Sequence, residues 1–156
     1  PQAADKRYSL TTISMHYRFA TTSDAKALAP LNLQLIRDEG HRNPMHVEQL
    51  AHRMEGWLAG EYEAVIFEES GSIVGYALFR RDTEHVYLRE LFVLPEHRRS
   101  GVGRAALQWL WLNAWQGVQR LRVEVLVGNS VAREFWRSVG FSDYCVTMEA
   151  QAPNGG

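Results

Sequence analysis

The stretch from Leu88 to Arg104, LRELFVLPEHRRSGVGR, constrains the fold of this chain more than any other. Its first half is apolar and predicts a buried strand, and Gly101 predicts the start of a helix. The first turn of a helix has backbone N–H groups without intrahelical acceptors, and glycine lets a ligand approach them closely. Arg98 and Arg99 add guanidinium donors in the preceding loop. The stretch therefore predicts an anion-binding site.

Composition excludes several other classes of function. The chain has 156 residues, a length typical of one domain with its own core, and a net charge of −1 that favours no nucleic-acid partner. No apolar run is long enough to span a membrane. Cys145 is the only cysteine and the six histidines lack metal-ligand spacing, so neither a disulfide nor a metal site is predicted. A reducing, cytoplasmic setting is consistent with these features.

Hydrophobic periodicity and turn residues predict an α/β protein with a mixed central sheet and the element order β-α-α-β-β-β-α-β-α-β. The predicted strands are 16–20, 62–67, 73–80, 85–94, 120–127 and 141–149. The predicted helices are 23–37, 45–58, 101–116 and 129–140. We expect residues 1–14 to be an N-terminal tail or an added remnant, residues 15–150 to be the domain and residues 151–156 to be a C-terminal tail.

Two motifs carry a resemblance to a known family. The segment from Arg98 to Gly103, RRSGVG, fits Arg/Gln-x-x-Gly-x-Gly/Ala, and the segment from Asn129 to Phe141 fits Asn-x-x-Ala-x-x-Phe-Tyr-x-x-x-Gly-Phe except at Trp136. In both motifs and in its element order, the chain resembles the GCN5-related N-acetyltransferases (GNAT). The resemblance covers nearly all of residues 15–149 and implies the single-domain acetyltransferase fold.

The resemblance implies acetyl-CoA as the cosubstrate and a primary amine, on a small molecule or a peptide, as the acceptor. Acetyl would pass directly between them in a ternary complex, and a backbone N–H near Val93 would polarise the thioester carbonyl. The residues that the resemblance assigns to acetyl-CoA are Leu91, Phe92, Val93, Arg98, Arg99, Ser100, Gly101, Val102, Gly103, Arg104, Asn129 and Trp136.

Trp136 is a departure from the family pattern. Many members have tyrosine at this position, where it protonates the departing CoA thiolate. An indole N–H donates a hydrogen bond but is no acid near neutral pH. The thiolate, with a pKa near ~8.5, can leave without a dedicated acid or take a proton from water. Tyr87 and Tyr144 are weak substitutes, because sheet packing explains both equally well.

Glu90 is a charge within an otherwise apolar strand and is the predicted general base. Partial burial would raise the pKa of its carboxyl and suit it to accept the proton of the amine, directly or through water. The equally weighted alternative is an outward-facing residue that pairs with Arg89, Arg80 or Arg81. The adjacent Arg89 cannot act as a base.

The resemblance implies an acceptor pocket in the region between the first two helices, which is the polar loop 38–43. There Asp38 and Glu39 would bind a cationic amine and His41 would act as a base, and Tyr87 is also assigned to the acceptor. The alternative is a solvated turn between two helices. An aminoglycoside, a polyamine, an amino acid or a peptide amine fits this prediction.

The sequence alone is also compatible with other functions. Gly101 to Ala106 fits the dinucleotide pattern G-x-G-x-x-G/A, but the first glycine lies too far after the strand and too late in the chain for that fold. A module that senses acyl-CoA without turnover, a transferase of longer acyl groups and an acetyltransferase of protein N-termini are alternatives. The helix 101–116 has no clean polar face, which is consistent with burial in the monomer or with a homodimer interface.

Overall fold

The computed structural model describes residues 15–154 and contains one mixed sheet with the strand order β1-β2-β3-β4-β5. The strands are β1 (Met15–Phe19), β2 (Tyr62–Glu69), β3 (Ser72–Arg81), β4 (Val86–Val93) and β5 (Leu121–Val123). The helices are α1 (Ala25–Glu39), α2 (Val47–Ala59), α3 (Val102–Asn113) and α4 (Ser130–Ser138). The first four strands are antiparallel neighbours, and β5 is parallel to β4. The predicted α/β fold with a mixed sheet is confirmed.

The chain divides into two compact units. The first ends at Glu124 and contains the sheet with α1, α2 and α3, and the second begins at Val125 and contains α4. The predicted N-terminal tail, residues 1–14, lies outside the described residues, as do residues 155–156 of the predicted C-terminal tail.

The helices α1 and α2 pack on one face of the sheet. Leu28 and Leu35 of α1 and Met54 of α2 form a buried cluster with Tyr76 and other side chains of β2, β3 and β4. These spacings on α1 and α2 are the helical periodicity that the sequence shows. Burial of such apolar side chains is the main favourable contribution to folding.

The helix α3 contacts side chains on the face of the sheet opposite to α1 and α2. The ring of Trp115, just after α3, lies 5.4 Å from that of Phe79, and the ring of Trp109 stacks on Tyr17 at 5.0 Å. Leu112 and Trp111 remain 70% and 38% exposed. The sequence predicted that more than one side of this helix would be buried. The predicted homodimer interface stays a prediction.

The predicted last strand, 141–149, is wrong, because residues 141–154 contain no strand. Its alternating Tyr144, Val146 and Met148 are 76%, 77% and 90% exposed. Alternation shows which side chains would share a face, but a strand also needs a hydrogen-bonded neighbour. The predicted strand 120–127 is likewise shortened to β5, which pairs only with Val86–Leu88 of β4.

A β-bulge at Arg89 reverses the alternation of β4. Leu78 of β3 lies opposite Glu90 and Phe79 lies opposite Leu88, so Arg89 is the extra residue. Leu88 therefore shares the face of Phe79 and α3, whereas Glu90 shares the face of Leu78 and of α1 and α2. The bulge places the side chain of Glu90 under the two helices.

Gly75 is required where β3 crosses close to β4. A Cβ at this position would collide with the carbonyl oxygen of Phe92 and would lie 2.9 Å from Cδ2 of Phe67. We expect Gly75→Ala to lower the free energy of unfolding by about 1–3 kcal/mol, because the two strands must move apart. Urea denaturation measures this change.

The matched control is Gly56→Ala in α2. An added Cβ at Gly56 meets nothing within 4 Å, and alanine favours a helix interior, so we expect the free energy of unfolding to rise by about 0.5–1 kcal/mol. Equal stabilities of the Gly75 variant and the unmodified protein would contradict the close approach of the strands.

Candidate active site

The loop between β4 and α3 has an unusual backbone. After the turn Pro95–His97, Arg99 and Gly101 have φ values of +63° and +81°, and Gly101 is the N-cap of α3. The first helical residues, Val102 and Gly103, have N–H groups that the helix itself cannot satisfy. Left-handed residues in such a loop orient successive N–H groups into one concave surface, which suits an anion. An added Cβ at Gly101 would meet nothing within 4 Å.

The side chain of Arg98 fixes the position of this loop. Its Nε donates to the carbonyl oxygen of Val93 at 2.7 Å, and its Nη2 donates to Oδ2 of Asp38 at 2.9 Å. The guanidinium also lies 5.3 Å from the ring centroid of Phe92. Arg98 thereby connects the loop to the ends of β4 and α1. The hydroxyl of Ser100 donates to the carbonyl of His97 at 2.8 Å, within the loop itself.

The end of β4 has an unpaired edge in the sheet. The N–H of Leu94 donates to the carbonyl of Val74 in β3 at 2.8 Å. By alternation, the backbone groups of Leu91 and Val93 point away from β3, to the side where β5 pairs only with Val86–Leu88. Among residues 15–154, Leu91 and Val93 thus have no strand partner on that side.

Glu90 is buried within a hydrogen-bonded network. Asn32 of α1 donates its Nδ2 to Oε2 at 2.6 Å, and Tyr76 of β3 donates its hydroxyl to Oε1 at 3.1 Å. The Nη2 of Arg53 donates in turn to Oδ1 of Asn32 at 3.2 Å. Glu90 is 9% exposed, so the predicted outward-facing, arginine-paired alternative is wrong and the predicted burial is found.

Burial raises the pKa of the Glu90 carboxyl, although the hydrogen bond from Tyr76 and the nearby charge of Arg53 oppose the shift. Burial also raises the pKa of the Tyr76 hydroxyl well above its usual range. Tyr76 therefore stays protonated as a donor, and Glu90 is the group of this network that can act as a base.

Three aromatic rings at the α2 side of the sheet, those of Trp57, Tyr62 and Tyr87, form what we call the aromatic patch. The rings of Trp57 and Tyr62 lie 5.4 Å apart, and the guanidinium of Arg80 lies 5.8 Å from Tyr62 and 4.8 Å from Tyr87. Arg89 lies beside the patch, 4.6 Å from Trp57. Burial raises the pKa of Tyr87, so its hydroxyl is protonated at neutral pH.

Asp38 and Glu39 of the predicted acceptor loop belong to the last turn of α1, and both carboxylates have partners. Asp38 accepts from Arg98, as described above, and Oε2 of Glu39 lies 2.7 Å from Nε2 of His41. These contacts reduce the attraction that either carboxylate would exert on a cationic amine. The role of Asp38, Glu39 and His41 in acceptor binding stays a prediction.

In the second unit, Asn129 caps α4 as predicted. Its Oδ1 accepts from the N–H of Ala132 at 3.2 Å, which satisfies one of the free donors of the first turn. The ring of Trp136 packs edge-on against Phe135 and Phe141, at 5.0 Å from each. These contacts organise the second unit, and the roles of Asn129 and Trp136 toward CoA stay predictions.

The sequence analysis missed Asn32, Arg53 and Tyr76. Asn32 had a recognisable signal, because this amide lies between Leu28 and Leu35 on the apolar stripe of α1. Buried polar side chains are retained when they have partners, so such an amide predicts a polar group opposite it. Arg53 and Tyr76 gave no comparable signal.

Two structural features are absent from the part of the chain that the structure describes. Residues 15–154 contain no cluster of three or more histidine, cysteine or acidic side chains suited to a metal ion. Among the helices of the same residues, none is both long and apolar enough to cross a membrane.

The sequence model of the acetyltransferase (GNAT) family matches residues 31–141. No curated protein matches the chain.

Solved structures resemble the fold closely at low sequence identity. The aminoglycoside N-acetyltransferase AAC(6')-Iy in complex with CoA is 18% identical, with a TM-score of 0.70 over 89% of this chain and 95% of that one. A ribosomal-protein-alanine N-acetyltransferase from Brucella melitensis biovar Abortus 2308 is 17% identical, with a TM-score of 0.72 over 89% and 100%. A predicted acetyltransferase with acetyl-CoA from Clostridium acetobutylicum is 20% identical, with a TM-score of 0.71 over 88% and 96%.

Proposed function

Because the chain belongs to the acetyltransferase (GNAT) family, we propose that it is an acetyl-CoA-dependent N-acetyltransferase. Acetyl passes directly from CoA to a primary amine while both substrates are bound. The single observation that carries the proposal is the loop 98–104, where two left-handed residues precede the N-terminus of α3 directly after the unpaired edge of β4.

The loop binds the pyrophosphate of CoA. Backbone N–H groups from Arg99 to Arg104 donate to the phosphate oxygens, and the helix dipole of α3 favours their negative charge. Arg98 positions this backbone through Val93 and Asp38. Two structural features support this fit, the left-handed φ of Gly101 and the open space around its α-carbon.

The edge of β4 positions the pantetheine and the thioester. Backbone groups of Leu91 and Val93 face the side without a strand partner, so an extended ligand chain can pair there in place of a strand. The Val93 N–H donates to the thioester carbonyl and stabilises the charge that develops on its oxygen. The backbone groups of Phe92 face Tyr76 of β3 and its ring is buried in the core, so Phe92 holds the strand end in place beside Leu91 and Val93.

Acetyl-CoA supplies the thioester from which the acetyl group is transferred. Glu90 accepts the proton of the amine, directly or through water, from its buried position beside Asn32 and Tyr76. Orientation of amine and thioester contributes most of the rate enhancement, because a well-oriented pair reacts without further loss of translational freedom.

Three further groups of residues complete the proposal. Asn129 and Trp136 line the pantetheine arm, and the thiolate leaves without a tyrosine acid. Asp38, Glu39 and His41 form one border of the acceptor region. Tyr87, a member of the aromatic patch, contributes its ring to the other border of the acceptor region.

Calorimetric titration of acetyl-CoA into the protein, followed by thiol release with a panel of amines, tests the function. We expect saturable binding at one site and amine-dependent release of CoA. Binding without release for any amine would indicate an acyl-CoA sensor instead. No binding would remove the acetyltransferase proposal and reassign the loop to another phosphorylated ligand.

A further inference from the structure

Two guanidinium groups flank the indole of Trp57 beside the proposed base. The Cζ atom of Arg53 lies 4.2 Å from the Trp57 ring centroid, and that of Arg89 lies 4.6 Å from it. Both distances are within the range of a cation–π contact. Arg53 and Arg89 are called the guanidinium pair below.

The guanidinium pair lacks carboxylate partners. Neighbouring arginines have them, since Arg80 pairs with Asp82 at 3.3 Å and Arg81 pairs with Glu63 at 2.9 Å. Among residues 15–154, neither Arg53 nor Arg89 forms an ion pair within 4.0 Å. An arginine beside an indole and without a carboxylate can accept an anion from solution.

The charge balance around the pair is positive. Burial lowers the pKa of Arg53, the charge of Glu90 opposes the shift and the charge of Arg89 adds to it. Glu90 thus interacts with both guanidiniums, but it is one carboxylate against two cations, and its oxygens already accept from Asn32 and Tyr76. A second anion beside the pair would relieve their mutual repulsion.

Arg53 also has unused hydrogen-bonding capacity. Its Nε is buried and has no acceptor among the described residues, and its Nη2 donates only to Asn32. The Nη1 of Arg89 reaches the hydroxyl of Tyr62 at 3.5 Å, which is a long contact. The planar fork of a guanidinium matches the two oxygens of a carboxylate. Arg53 further lines an open depression of about 560 Å³ along α2, together with Met45, Glu48, Gln49 and His52.

We propose that the acceptor is a small amine that carries a carboxylate close to its amino group, with the guanidinium pair as the carboxylate site. This inference rests on the proposed acetyltransferase function. Arg89 and Glu90 are consecutive residues whose side chains lie on the same side of the sheet because of the bulge. Arg53 donates to Asn32, which donates to Glu90, so a carboxylate at the pair lies next to the network of the base and a short spacer to the amine suits it. An α-amino acid has such a spacer.

The same charges disfavour polycationic acceptors. A polyamine or an aminoglycoside would bring additional ammonium groups beside two guanidiniums, and like charges at such distances repel. The carboxylate of Asp38, which would otherwise attract them, is paired with Arg98, and that of Glu39 contacts the ring of His41. The structure thus favours an acceptor that carries a carboxylate over the purely cationic one that the charges of the loop 38–43 suggested.

Thiol release with α-amino acids and with the corresponding α-carboxamides tests the carboxylate site. The two series differ in the negative charge and keep the amine and the side chain. For the best substrate, we expect kcat/KM of the acid to exceed that of the amide by at least about tenfold. Arg89→Met should remove this preference mainly through KM, and Arg53→Met should do the same.

Three measurements separate the role in binding from a role in folding. Arg53→Lys keeps the charge but not the fork and should retain part of the preference. Arg120→Met, an exposed arginine before β5, is the matched control and should leave the preference unchanged. Calorimetric titration of the same amino acid into the CoA-loaded protein should show binding that Arg89→Met weakens, without any need for turnover.

The outcomes distinguish this inference from the proposed function. Equal kcat/KM for acids and amides, or an acid preference that survives in Arg89→Met, would overturn the carboxylate site and leave the acetyltransferase intact. Turnover of polyamines in preference to both series would do the same. Failure of the protein to bind acetyl-CoA would overturn both proposals together.

Discussion

Glu90→Gln is expected to lower kcat for acetyl transfer by about 10²–10⁴-fold, the usual contribution of a general base. Glutamine has the shape of glutamate but cannot accept the proton of an ammonium. Acetyl-CoA affinity should stay within about threefold, because the proposed CoA contacts come from the loop 98–104 and the edge of β4. Steady-state thiol release with the best amine measures kcat, and calorimetry measures the affinity.

The pH dependence supplies a second, independent readout of this variant. Burial raises the pKa of Glu90, and the base must be ionised to work. The rate should therefore fall as pH decreases through a pKa above the usual value for glutamate, and this acidic limb should disappear in Glu90→Gln. The free energy of unfolding should change with pH in the opposite direction to the rate. A raised pKa means that ionisation of Glu90 destabilises the folded state. The unmodified protein should lose stability relative to the variant as pH rises from the usual pKa of glutamate to the raised pKa of Glu90, and the difference should stay constant above it.

Glu63→Gln in β2 is the matched control for these experiments. Glu63 is also a strand residue, but its carboxylate is half-exposed and pairs with Arg81 at 2.9 Å. An exposed ion pair contributes little, so kcat and the acidic limb should be unchanged. A Glu90 variant with the kcat and pH profile of the Glu63 variant would exclude Glu90 as the base.

Gly101→Trp is expected to weaken acetyl-CoA binding by about 100-fold or more. Glycine at this N-cap has a φ of +81°, and the space around its α-carbon is open for a phosphate. An indole there would fill that space. It would also shift the backbone, because residues other than glycine rarely adopt this left-handed conformation. Loss of two hydrogen bonds to phosphate, at about 1.5 kcal/mol each, corresponds to this factor. Calorimetric titration of acetyl-CoA measures it.

Gly117→Trp separates the loss of the ligand from the strain of the substitution. Gly117 has a φ of +79° and nothing within 4 Å of an added Cβ, so the conformational cost is the same as at Gly101. It lies between α3 and β5, outside the loop 98–104. We expect equal losses of stability in the two variants and a loss of affinity only in the Gly101 variant. Equal affinities would remove the pyrophosphate site from this loop.

Much of the site was predictable because it is local in sequence. A strand, a basic loop and a glycine at a helix start follow one another between Leu88 and Arg104, so their proximity needs no tertiary information. The structure places the loop and the N-terminus of α3 as expected. The helices α1 and α2 were likewise predicted from periodicity, with boundaries that differ by about two residues.

Side-chain partners that are distant in sequence were not predictable. Arg98 was expected to contact phosphate, but its guanidinium donates to Val93 and to Asp38, sixty positions earlier. The same pairing neutralises a carboxylate that the sequence assigned to a cationic acceptor. The charge of a residue is known from sequence, whereas the partner that compensates it depends on how the elements pack.

The family, the α/β class and the location of the anion-binding loop follow from the sequence alone, because they depend on motifs, periodicity and neighbouring residues. The environment of Glu90 depends on the tertiary structure. Strict alternation would place Leu88 and Glu90 on one face, and the bulge at Arg89 places them on opposite faces. The bulge follows from the pairing of β4 with β3, and this pairing buries the carboxylate against Asn32 and Tyr76 and leaves the guanidinium pair beside it.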